Sequence, residues 1–217
     1  MIFMNYKVCV VECIPKEIFL KENNESFIRK MLTKSIGEGV WVRGDPNLRE
    51  PDFFWNDVPF EFTLASDQRK KNNFVRKMIE HHYISDDAER DLLDYCMVRI
   101  EEKAKKNYSV DHVHLCILCL IDMTFWVSDH YGSSFHELYQ YRKEEFRTSV
   151  RKEYIEKGIF ENVFLIFPDI FGSWWICDCL TDYKTQVKLS DKNIRDGKIP
   201  YMLVEEEYLR IMNGINS

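Results

Sequence analysis

The chain is predicted to be an α/β protein, a central mixed β-sheet flanked by helices. Two observations carry that expectation. The run His112-Val113-His114-Leu115-Cys116-Ile117-Leu118-Cys119-Leu120-Ile121-Asp122 is nearly all apolar, as a strand buried on both faces must be. Around it, windows with apolar residues at helical spacing alternate with short apolar runs bounded by turn residues. The 217 residues are 45% hydrophobic and 14% aromatic, which fills a substantial core and makes one domain over 1–217 the default.

The elements follow in order. Tyr6 to Cys13 is β-branched enough for a short strand, ended by Pro15. Asn23-Asn24 offers a helix N-cap, Phe27, Ile28, Met31, Leu32 and Ile36 mark one helical face, and Gly37 closes it. Val40-Trp41-Val42 reads as a strand. Two further strands flank Asn56-Asp57, a pair suited to a tight turn. Asp86-Asp87 opens a helix with Leu92, Leu93, Cys96, Met97 and Ile100 inward, and Glu101 to Asn107 forms its charged end. Beyond the long apolar run, Phe135 to Lys157 is an amphipathic helix stopped by Gly158. Val163 to Phe167 and Trp174 to Cys177 are strands, with another around Gln186 to Leu189. Val204 to Met212 suggests a terminal helix.

The chemistry gathers on Pro51-Asp52-Phe53-Phe54-Trp55-Asn56-Asp57-Val58-Pro59-Phe60-Glu61-Phe62-Thr63. Phe60, Phe62 and Leu64 alternate with Glu61 and Thr63, so Glu61 lies on the face opposite the phenylalanines. Asp52 stands at the mouth of the first strand. Pairing about the turn lets both carboxylates approach one point, and two hard oxygen ligands at a sheet edge suit Mg²⁺ or Mn²⁺.

This stretch resembles the core motif of the PD-(D/E)xK nuclease superfamily. Pro51-Asp52 and Glu61 match that motif, whereas Thr63 stands where the family has lysine. The order helix, strand, hairpin, helix, buried strand is also similar, over roughly Asn24 to Asp122. The resemblance implies a restriction-endonuclease-like sheet, with a nuclease-like core over about 24–180 and a C-terminal extension. It implies metal-dependent hydrolysis of a phosphodiester, most naturally in DNA. Asp52 and Glu61 would hold the ion, with the Phe62 carbonyl and Glu25 as further ligands. Thr63 offers only a hydrogen bond to the attacking water, so Lys70 or Lys71 is a candidate replacement for the motif lysine.

From Arg69 to Lys77 there are five basic residues and no acid, on a chain of net charge −6. Arg69, Lys70, Lys71, Arg76 and Lys77 are therefore the candidate contacts to a phosphate backbone, since bulk charge would not attract one. The seven cysteines are odd in number and scattered, and no basic-then-apolar segment opens the chain. Both features fit free thiols in a reducing cytoplasm. Cys116 and Cys119 have Cys-x-x-Cys spacing, but positions three apart on a strand face opposite ways, so buried thiols are expected, as for Cys177 and Cys179. The adjacent His81-His82 fit a surface loop better than a metal site. No apolar run reaches the length of a membrane span. Two alternatives stand beside the nuclease: an inactive relative of that fold that binds nucleic acid or protein, and an unrelated interaction or immunity protein. A homodimer is compatible with each.

Overall fold

The computed structural model describes residues 21–65, 86–119, 133–168 and 174–187. They build one seven-stranded mixed sheet in the order β1 to β7, with three α-helices. Helix α1 (Lys21–Ile36) leads into β1 (Trp41–Arg43). A 3₁₀ turn over Pro46–Leu48 precedes β2 (Phe53–Trp55) and β3 (Val58–Leu64). Then follow α2 (Asp86–Ala104), β4 (His114–Leu118) and α3 (Ser133–Val150), which ends in a π-helical turn over Arg151–Ile155. Strands β5 (Asn162–Pro168), β6 (Trp174–Asp178) and β7 (Lys184–Val187) complete the sheet.

The parallel part is the centre. β4 pairs in parallel with β3 on one side and with β5 on the other. That is the position which demands an apolar strand, because helices cover both faces. Leu115, Cys116, Ile117, Leu118 and Cys119 are all fully buried. The strand is shorter than the eleven-residue run suggests: Val113 and Cys119 flank it outside the ladder.

β2 and β3 form the expected hairpin, with Trp55 opposite Val58 and Phe53 opposite Phe60. Asn56 and Asp57 both take positive φ, 46° and 67°, as a two-residue turn of the kind favoured in hairpins requires. Asn56 Oδ1 also accepts a 3.0 Å hydrogen bond from the Val40 N–H. On one face of the hairpin, Phe53, Phe60 and Phe62 pack against Trp41, whose indole N–H donates to Thr33 of α1.

Several boundaries move. Asn23 and Asn24 lie within α1, so they are not its N-cap, and Asn24 is buried. Gly37 ends α1 as anticipated, at φ 97° with its N–H on the Thr33 carbonyl. Strand β1 begins at Trp41, one residue later than Val40. The expected strand at Tyr6 to Cys13, the terminal helix, His81-His82 and the basic window Arg69 to Lys77 lie outside the described residues. Cys116, Cys119, Cys177 and Cys179 are free and buried, and burial pushes the Cys116 thiol well above its ordinary value. Among the described residues no helix is long and apolar enough to cross a membrane.

Candidate functional site

The site lies where the hairpin ladder stops short. β2 begins at Phe53, opposite Phe60, so among the described residues no strand lies beside β3 on that edge from Glu61 onward. Chain alternation then decides which groups are exposed there. Ala65 donates its N–H to Leu118 of β4, so the peptides of Phe62 and Leu64 point the other way, to the open edge. Side chains take up those groups. The Phe62 N–H donates to Asp52 Oδ2 at 2.9 Å, and the Leu64 carbonyl accepts from Arg99 Nε at 2.9 Å. The Phe62 carbonyl lies on the same side as its N–H, beside Asp52.

Asp52 is held there by its own backbone. Its N–H donates to Glu61 Oε2 at 3.2 Å, and its carbonyl accepts from Gly44. A side chain at Gly44 would collide with the Pro51 carbonyl, 2.0 Å from an ideal Cβ. The two carboxylates of the hairpin are thus locked together, as the strand pairing predicted. Glu61 is not on a wet face. It is fully buried, because α2 covers that face of β3.

Burying a carboxylate is costly unless a cation accompanies it. Here the cations come from three elements. Lys103 of α2 bonds Glu61 Oε1, and Lys106, just past the helix, reaches the same oxygen at 2.5 Å. Lys103 Nζ is also 4.0 Å from Asp52 Oδ2. From the other side of the sheet, Lys21 of α1 donates to Asp52 Oδ1 at 2.8 Å. Glu25, one helical turn on, is 2% exposed and faces Arg43 of β1 at 3.4 Å. Its Oε1 lies 3.2 Å from Lys21 Nζ, yet no well-aligned hydrogen bond satisfies it.

The charges act on one another. Burial pushes the Asp52 carboxyl upward, but Lys103, Lys21 and the Phe62 N–H outweigh it and leave the pKa below its ordinary value. Burial dominates for Lys103 and lowers its pKa, with Glu61 and Asp52 recovering only part. Lys21 loses to burial and gains more from Asp52 and Glu25, so its pKa is raised.

The oxygens present are of the hard kind: carboxylates of Glu25, Asp52 and Glu61, the Phe62 carbonyl, and one buried carboxylate oxygen of Glu25 without a hydrogen bond. Among the described residues no three acidic, histidine or cysteine side chains are already gathered as ligands. Instead the Lys21 ammonium stands between Glu25 and Asp52, that of Lys103 between Asp52 and Glu61, and that of Lys106 against Glu61. An ion entering here would compete with them.

Of the residues expected from the sequence, Asp52, Glu61 and Phe62 meet directly, and Glu25 reaches Asp52 only through Lys21. Thr63 is buried on the face that Glu61 uses, two residues along β3. The sequence reading missed Lys103 and Lys106, which lay in a segment taken as a charged helix end. A signal was present. Arg99, Lys103 and Lys106 recur at i, i+4 and i+7, a basic stripe that starts on the helix following the Glu61 strand and runs just past its end. No family model, curated protein or solved structure matches this chain.

Proposed function

We propose that this protein is a divalent-metal-dependent phosphodiesterase acting on nucleic acid, with DNA the first substrate to test. One observation carries the reading: Lys103 meets Asp52 and Glu61 from α2. The lysine that Thr63 fails to supply from the strand is supplied from the neighbouring helix, so the charged constellation is complete without Lys70 or Lys71.

Asp52 and Glu61 would hold Mg²⁺ or Mn²⁺, joined by the Phe62 carbonyl and Glu25. The bound ion would supply Lewis-acid stabilisation of the scissile phosphate and make a bound water more acidic. The chain's own residues do the rest. Lys103 would orient the attacking water and, in the neutral form that its lowered pKa favours, accept the proton that water loses. Lys21 and Lys106 face the substrate's negative charge. Arg69, Lys70, Lys71, Arg76 and Lys77 follow β3 in sequence and are proposed to hold the strand.

The test is cleavage of several DNA forms with Mg²⁺ or Mn²⁺. Lys103→Met is expected to lower the rate about 100-fold or more, a typical loss for a removed acid–base or charge-stabilising group. Asp52→Ala with Glu61→Ala is expected to abolish it. Cleavage that survives EDTA, or the double variant, excludes the mechanism.

A second reading has its own support. Glu61 Oε1 is already shared by two ammonium groups. A site sealed in this way would belong to an inactive nucleic-acid-binding module. It predicts no cleavage, and binding that falls steeply with salt.

A further inference from the structure

We propose that the Tyr108 hydroxyl and the Lys106 ammonium form a subsite for an anionic phosphate oxygen beside the Asp52–Glu61 pair. This rests on the phosphodiesterase reading for the class of ligand, and on separate observations for the place.

Tyr108 lies in the segment between α2 and β4. Its neighbour Ser109 donates to the Arg49 carbonyl at 3.1 Å, which pins that segment to the loop before β2. The ring packs against the core, and the hydroxyl oxygen is buried with no hydrogen-bond partner. Leaving such a group unpaired is unfavourable, so its presence asks for a reason.

The carboxylate oxygens of the pair already carry other donors. Glu61 Oε1 takes Lys103 and Lys106, and Oε2 takes the Asp52 N–H. Asp52 Oδ1 takes Lys21, and Oδ2 takes the Phe62 N–H. The phenol hydroxyl bonds none of these oxygens and is free to donate to an incoming acceptor. Lys106 Nζ bridges the two regions, 2.5 Å from Glu61 and 5.8 Å from the centre of the Tyr108 ring. Its side chain is 48% exposed, so it can turn to an incoming ligand. A tetrahedral phosphate offers one oxygen to the ammonium and another to the phenol. Burial, with the charges of Glu61 and Asp52, keeps the phenol protonated and hence a donor.

The probe is thymidine 5′-monophosphate, which has no phosphodiester bond to cleave. Its binding is followed by calorimetry in Mn²⁺ and in EDTA, for the wild type and Tyr108→Phe. Urea unfolding of both proteins is measured alongside. Loss of a hydrogen bond to a charged oxygen should weaken binding roughly tenfold or more. Removing an unpaired hydroxyl should leave stability unchanged or raise it. That combination supports the subsite.

Equal binding by the two proteins overturns it. So does weaker binding with a clear loss of stability, because the hydroxyl would then serve the fold. Absence of wild-type binding in both conditions also overturns it. DNA cleavage by the wild type, assayed separately, shows whether the phosphodiesterase reading stands when the subsite does not.

Discussion

Asp52 is the residue on which the open edge depends. It takes the Phe62 N–H beyond the end of the β2–β3 ladder, and it joins Lys21 and Lys103 through one carboxylate. Its folded pKa is depressed, so unfolding at intermediate acidity takes up a proton. The sign follows. Its stabilising contribution is fully present above the unfolded value of about 3.9, and is lost as pH falls through the lower folded value. Asp52→Asn is isosteric but uncharged. In urea unfolding at pH 7 the variant should be the less stable protein. Near pH 2 the gap should narrow, because the wild-type carboxyl is then becoming neutral too. A gap that is constant over that range would mean that Asp52 acts through shape and not charge.

At the scale of elements, α2 and α3 each bring cations down onto the sheet. α2 runs along β3, with Arg99 at Leu64 and Lys103 at Glu61. α3 carries Lys143 and Arg147 to Asp182, in the turn between β6 and β7, where Lys184 of β7 joins them. The Lys143 side chain is only 2% exposed, and the three cations stand 3.5–3.6 Å from one carboxylate oxygen. Asp182→Asn should therefore destabilise by about 2–3 kcal/mol, less than the roughly 3–5 kcal/mol for breaking a fully buried ion pair because Asp182 is partly exposed. Adding Lys143→Met should recover part of that loss, as urea midpoints of the single and double variants would show. If the losses simply add, the two residues are not coupled. What was legible in the sequence follows the same division. Periodicity found α2 and the hairpin, because each has an apolar face that repeats with its own period, and an unbroken apolar run found β4. Asp52 and Glu61 were legible because a two-residue turn fixes their register. Lys103 was not, because its partner lies 42 positions away and only the crossing of α2 over β3 brings them together. Lys143 escaped for the same reason: alternating charge on an amphipathic helix suggests a wet face, and the turn at Asp182 makes it a buried one.

For the whole molecule, the candidate site ties together parts that approach the sheet from opposite faces. Glu25 and Lys21 come from α1 on the phenylalanine face, Lys103 from α2 on the other, and Asp52 and Glu61 sit at the edge between them. An ion held by Glu25, Asp52 and Glu61 would bind only the folded chain, because the unfolded chain scatters its ligands. Stability should then rise with ion concentration, by about 2.7 kcal/mol at 100 times the dissociation constant. Mn²⁺ titration by calorimetry and by thermal unfolding should agree on one affinity. Glu61→Gln should lose both signals, and Glu25→Gln should weaken them. Because an entering ion must displace ammonium groups from the carboxylates, Lys106→Met should bind Mn²⁺ more tightly than the wild type. Absence of Mn²⁺ binding in the wild type would remove the metal mechanism. The same protein would then be titrated with DNA over a range of salt. Binding that weakens steeply with salt would identify the inactive nucleic-acid-binding module. Absence of binding at low salt would leave the interaction protein, with Glu25, Asp52, Glu61 and their lysines serving the fold alone.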